Sequence, residues 1–215
     1  LGSARAHAAL VAAGGAEALC AALRRGAALV NTASAPASST PSGAERGAGA
    51  DLVRAACGAL CAIASAEGHG GAGGGVAHER ARTVLRRAGV IELLCAAMGR
   101  SRADAELQTY CAGLAGSLFA TCTEPDGLAS HFELQFGALA CEAMRAHAAH
   151  LGVHLACCGA LHALARRSPV LAAAVVGAGG APVLVRALRT FRGAARPSAR
   201  LHASACAGLS ALAET

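Results

Sequence analysis

Arg87-Ala88-Gly89-Val90-Ile91-Glu92-Leu93-Leu94-Cys95-Ala96-Ala97-Met98, followed by Glu106-Leu107-Gln108-Thr109-Tyr110-Cys111-Ala112-Gly113-Leu114, is the stretch on which the fold turns. Its apolar residues fall at helical rather than alternating spacing. Both halves recur along the chain. The Cys-x-x-Leu of Cys111 to Leu114 returns as Cys57-Gly58-Ala59-Leu60, Cys158-Gly159-Ala160-Leu161 and Cys206-Ala207-Gly208-Leu209, at separations of 54, 47 and 48 residues. The Cys-x-x-Met of Cys95 to Met98 has counterparts in Cys20-Ala21-Ala22-Leu23, Cys141-Glu142-Ala143-Met144 and Val185-Arg186-Ala187-Leu188. Self-similarity at such a period is the signature of a helical repeat array, in which each unit buries its apolar face only against its neighbours.

Each unit reads as a short helix, a glycine turn, a second helix and a longer third helix. Gly14-Gly15, Gly89, Gly137 and Gly179-Gly180 are expected to mark the same turn before the second helix, where positive φ or close helix approach favours glycine. Ser168-Pro169 reads as a helix start, with serine as cap and proline in the first turn. No strand is needed anywhere.

In these two columns the chain resembles the armadillo (and HEAT-like) helical repeat family. The glycine-led second helix ending at Met98 and the third helix around Cys111 are the closest match. The Ala143-Met144-Arg145-Ala146-His147 run resembles the variant found in protist armadillo arrays and beside leucine-rich-repeat kinases. The resemblance implies an all-α, right-handed α-α superhelix, an armadillo-like solenoid of about four repeats of three helices. It would form a single domain over 1–215, with repeats at roughly 4–66, 79–122, 126–166 and 168–214 and insertions at 31–50 and 66–77. In armadillo proteins that hold extended peptides, a Trp two residues before the conserved Leu and an Asn two after it line the concave groove. The matching positions here are Gly58, Ala112, Gly159 and Ala207, and Ala62, Gly116, Ala163 and Ala211, all glycine or alanine. Without the Asn amides the main-chain grip on an extended peptide is gone. A groove of small residues suits a partner helix or folded surface that approaches closely, held by apolar contact and rim arginines.

Composition narrows the function further. The chain is 54% hydrophobic yet only 2% aromatic, with no Trp, one Tyr and four Phe, which leaves little for stacking on bases or sugars. Charged residues make up 15%, below the ~25% of an average domain, so most of the chain should pack. All 19 basic residues are arginine, which rules out Schiff-base or P-loop lysine chemistry. A GC-rich gene enriches Ala, Gly and Arg together, so the net charge of +6 says little about partners. Arg186, Arg189, Arg192, Arg196 and Arg200 recur every three or four residues, and Arg80, Arg82, Arg86 and Arg87 form a second cluster. From these, Arg86, Arg87, Arg186, Arg189 and Arg192 make a candidate basic rim that could meet phosphates or an acidic partner. The longest weakly polar stretch, Val170 to Val185, falls short of the ~20 residues needed to span a bilayer, and no transmembrane helix is expected. No signal peptide is visible, and a start at Leu1 reads as a fragment of a longer chain.

Ten cysteines without any C-x-x-C suit small buried residues in a reducing compartment, cytoplasmic or nuclear, rather than a disulfide framework; seven of them fall in the two columns. His147, His150, His154, Cys157, Cys158 and His162 are the densest metal-ligating stretch, with His154, Cys158 and His162 at i, i+4 and i+8. Ligands on one straight stripe lie ~6 Å apart, so they could close around zinc only if the helix were bent. The reading here is buried cysteines with histidines on exposed or boundary faces, and no metal or cofactor. Of the cysteines outside the columns, Cys61, Cys122 and Cys157, the most exposed should be Cys122, in a turn after a third helix. Nothing supplies an oxyanion hole, so no catalytic residue is assigned. Asn31 to Ala50, rich in Ser, Thr, Pro and Gly, is expected to be a loop with Ser38, Ser39, Thr40 and Ser42 as modifiable positions; Gly68 to Gly75 reads as a linker rather than a phosphate loop. The functional expectation is a non-catalytic protein-binding scaffold, with a basic module for nucleic acid or acidic membrane, or the regulatory arm of a larger kinase or ubiquitin ligase, as alternatives.

Overall fold

A computed structural model of the chain describes residues 14–30, 43–65, 73–120, 131–192 and 197–214. The described residues are helical apart from short turns, and no strand occurs among them. Their ten helices are α1 (Gly15–Val30), α2 (Gly43–Ser65), α3 (Gly73–Arg87), α4 (Val90–Arg100), α5 (Ala105–Ala120), α6 (His131–Ala146), α7 (Leu151–Ala165), α8 (Pro169–Gly177), α9 (Gly180–Thr190) and α10 (Pro197–Ala213). The chain forms two compact units, Leu1–Ala97 and Met98–Thr215, divided within α4.

In the first unit α1 packs along α2, and α3 packs on both. Gly26 lets α1 approach closely: a Cβ there would stand 2.8 Å from Val53 Cγ2 and 3.0 Å from the Gly49 carbonyl. Leu23, Leu60, Ile63 and Leu85 are fully buried, with Cys20 and Cys57 filling the narrower gaps. The end of α2 is closed by a buried arginine. Arg82 donates from Nε (3.1 Å) and from a terminal guanidinium nitrogen (2.7 Å) to the Ala64 carbonyl, satisfying one of the orphan acceptors of a helix C-terminus. Helix α2 begins at Gly43, so residues 43–50, expected as loop, are helical, and the approach of Gly49 to α1 shows why packing overrides a weak local propensity. Residues 31–42, including Ser38 to Ser42, lie outside the described residues. So do residues 66–72, whereas Gly73 to Gly75 form the first turn of α3 rather than a linker.

Helix α2 also holds an 18-residue window, Gly47–Ala64, with mean hydropathy 1.4, long and apolar enough to cross a membrane by length and composition. In the sequence Asp51 and Arg54 interrupt this run, whereas 170–185 carries no charge. A core helix passes the same test, and α2 buries Val53, Ala56, Cys57, Leu60 and Ile63.

In the second unit α7 lies between α5 and α10, while α6 packs on α7, α8 and α9. Phe119 of α5 meets Phe136 of α6 edge to face, ring centroids 5.2 Å apart. Leu107, Leu114, Leu118, Met144 and Leu161 complete the core. Ser168 caps α8 as expected, its hydroxyl accepting from the Leu171 N–H at 3.2 Å with Pro169 in the first turn. The turn glycines hold at three places: Gly14, Gly89 and Gly179 have φ of 77°, 68° and 82°. Gly137 does not. It lies inside the continuous helix α6, where a Cβ would stand 3.2 Å from Val175 Cγ2, so this glycine serves close helix approach and not a turn.

Candidate functional site

The eight small positions assigned to a groove are not equivalent in the structure. On α5, Ala112 is fully buried and cannot touch a partner. Gly116, one turn further on, faces α7: a Cβ there would be 3.2 Å from Ala160 Cα and 3.3 Å from its nitrogen. Gly116 is thus spent on bringing α5 and α7 together. On α7, Gly159 and Ala163 are half-exposed, and a Cβ on Gly159 would meet nothing within 4 Å. Ala207 and Ala211 on α10 are also half-exposed, as is Gly58 on α2, and Ala62 is exposed. The open small-residue surface of the second unit is therefore carried by α7 and α10, and α5 is excluded from it.

The basic rim is also divided. Arg86 is mostly enclosed, near Glu79 at 3.9 Å, and Arg82 is used up on the α2 carbonyl, so these two members of the second cluster are internal, whereas Arg87 is exposed; the Arg80 side chain lies outside the described residues. Arg186 and Arg189 on α9 and Arg192 in the turn after it are exposed, and no carboxylate among the described residues pairs with them.

A feature invisible in the sequence is a cavity of about 280 Å³ in the second unit, lined by Met98, Arg102, Gln108 and Leu139 and by the segment Glu142, Ala143, Arg145 and Ala146. The Ser101–Asp104 turn forms one wall. Asp104 caps α5 through the Leu107 N–H at 3.0 Å, and the Gln108 amide donates to the carbonyls of Met98 (2.9 Å) and Ser101 (3.1 Å). Arg102 pairs with Glu142 at 3.0 Å, and its carbonyl lies 2.8 Å from His147 Nε2. The lining combines apolar Met98, Leu139 and Ala143 with charged Arg102, Glu142 and Arg145.

The histidine and cysteine run does not converge. Among the described residues no group of three or more His, Cys, Asp or Glu is placed to hold a metal ion. His150 is a helix cap, its Nδ1 accepting from the Val153 N–H at 3.2 Å. His154, expected on a boundary face, is buried, edge-on to Phe191 with ring centroids 5.1 Å apart. Its ring nitrogens make no hydrogen bond within normal geometry. Burial lowers its pKa below the usual 6.5, helped by Arg186 and His150 and opposed by the nearby carbonyls of His147 and Ala148. The unfolded chain then binds the proton more readily than the folded one, so stability is full above 6.5 and declines as pH falls through that value toward the depressed folded pKa. Thermal melts between neutral pH and about pH 5 are expected to show a falling midpoint, with the slope reduced in His154→Leu. An unchanged slope in the variant would assign the acid sensitivity elsewhere.

The nine cysteines among the described residues are free thiols. Burial raises the thiol pKa of Cys95 and Cys158 to about 12 and that of Cys141 to about 11, and pushes Cys157 well above its ordinary value. These remain protonated and poorly nucleophilic at neutral pH. Cys206, expected to be buried like its column partners, is exposed, and Cys122 lies outside the described residues. No family model matches the chain, and neither a curated protein nor a solved structure shows significant similarity to it.

Proposed function

We propose that the chain is an armadillo-like helical-repeat module that binds other proteins and carries no chemistry of its own. The observation that supports this reading is the row α5, α7, α10. In the repeat register these are the third helices of three successive units, and a right-handed α-α superhelix lays such helices side by side. The partner is a helix or a folded surface, which can approach the glycine and alanine positions of α7 and α10 closely, with the α9 arginines at the edge. Free buried thiols suit a reducing compartment, cytoplasmic or nuclear.

The test is cross-linked capture of partners by the wild-type chain and by Gly159→Arg combined with Ala163→Arg. Both positions are open enough to take arginine without disturbing the core, which circular dichroism checks. Loss of a defined partner is the expected result; capture of the same proteins by both chains would remove α7 from the binding surface. The second reading, a basic face for nucleic acid or acidic membrane, draws on the exposed Arg186, Arg189 and Arg192. Binding of that kind weakens steeply with salt, whereas apolar contact does not.

A further inference from the structure

The cavity in the second unit holds one polar atom that the fold leaves unused. Gln108, which is 2% exposed, lines it. Its side-chain nitrogen donates to the carbonyls of Met98 at 2.9 Å and Ser101 at 3.1 Å, which commits both amide hydrogens and fixes the oxygen as the other end of the group. No group among the described residues donates to that oxygen, Oε1, and it is not one of the fully enclosed atoms without a partner, so it faces open space at the cavity. Around it the buried part of the lining is apolar, formed by Met98, Leu139 and Ala143. A buried acceptor without a donor is costly. A lone water satisfies it poorly, because an ordered water needs roughly two to four polar partners and the buried lining offers one polar side chain.

The charges on the exposed part of the lining are already in use. Arg102 pairs with Glu142 at 3.0 Å, and Arg145 donates to the carbonyl of Ala178. A cationic ligand would give up its hydration for one neutral acceptor beside two guanidinium groups, and an anion would set its own lone pairs against Oε1. The occupant that fits is neutral, with an N–H or O–H donor for Oε1 and an apolar body for the rest. Volume sets its size. An apolar cavity of roughly 150 Å³ takes benzene, so one of about 280 Å³ has room for a fused pair of rings. The Met98 thioether favours an aromatic body, since contacts between sulfur and a ring edge are attractive and the flexible methionine chain adapts to the shape it meets.

We propose that this cavity is a binding site for a small neutral aromatic molecule of the indole or phenol class, held by a hydrogen bond from its N–H or O–H to Gln108 Oε1 and by apolar contact with Met98, Leu139 and Ala143. All of these residues belong to the second unit, so the site stands without the repeat register and without a protein partner. The chain has two methionines and no tryptophan, which gives two separate readouts. Indole added to the purified chain carries the only indole fluorescence in the solution, and its emission should move to the blue and saturate as the ring leaves water. With ¹³C-methyl methionine, the Met98 signal should shift along the titration, while that of Met144, which is buried but does not line the cavity, should stay close to its starting position.

The decisive arm compares two ligands. 1-Methylindole keeps the rings and loses the donor, so it should bind about tenfold more weakly, the loss expected when a buried acceptor is left unsatisfied. Ala143→Leu, which fills the cavity from its buried side, should abolish the Met98 shift, with circular dichroism checking that the variant stays helical. The ligand comparison uses the unaltered chain and holds whether or not that variant folds. No saturable response to indole, equal affinity for indole and 1-methylindole, or a shift at Met144 in place of Met98 would each overturn the proposal. N-acetyltryptophanamide carries the same ring on a peptide backbone. Binding tighter than that of indole would assign the cavity to a side chain of a protein partner, which overturns a site for a free molecule; weaker binding supports it.

Discussion

Phe136→Ala is expected to lower the unfolding free energy by about 3–5 kcal/mol, the range for truncating a buried Phe when the surrounding structure relaxes only partly. The side chain is fully enclosed on α6 and meets Phe119 of α5 edge to face. In a chain with four Phe and no Trp, alanine and cysteine cannot close around the vacancy, because they have no rotamers that reach into it. The cost should therefore sit in the upper part of that range. Urea unfolding of the second unit checks this, with the midpoint falling and the m-value unchanged. Phe136→Leu should recover more than half of the loss. Val170→Ala, at a residue 59% exposed, should stay within about 0.5 kcal/mol of wild type. A loss below about 1 kcal/mol for Phe136→Ala would mean that α5 and α6 are not joined through this ring pair.

The elements that could be read from the sequence are those whose residues have one physical use. Cysteine at helical spacing, followed by leucine three residues later, suits a buried helix face, and Cys57, Cys111 and Cys158 are each fully buried. A serine before a proline has one favoured place at a helix start, and Ser168 takes it. Glycine has two uses, positive φ and close approach, and its identity does not tell them apart. Gly89 and Gly179 are turns, whereas Gly137 is a contact. Arginine is ambiguous in the same way. Arg82 and Arg86 read as a charged face, but the first closes α2 and the second is mostly enclosed, whereas their neighbour Arg87 is exposed as the charge pattern implies. The cavity beside Gln108 had no signal at all. Its walls come from residues 98–108 and 139–146, and no local pattern encodes their meeting.

Gly116→Val is expected to cost about 2–3 kcal/mol, and Gly159→Ala to gain about 0.5–1 kcal/mol, although the repeat register assigns both glycines to one surface. Both sit inside helices, so replacing either removes an unfolded-state entropy that opposes folding. The sign is then decided by space. At Gly116 a Cβ would lie 3.2 Å from Ala160 Cα, and a backbone atom cannot give way as a flexible side-chain end can. Valine adds two methyls at that point, so α5 must move off α7 and the contacts on either side loosen with it. At Gly159 the same direction is empty, and alanine only stiffens the helix. Thermal melts of the two variants measure the contrast. A neutral Gly116→Val would mean that α5 does not lie against α7 there, and the row of third helices would lose its tightest contact. A destabilising Gly159→Ala would mean that this side of α7 is already covered, leaving no open helix surface there for a partner to meet.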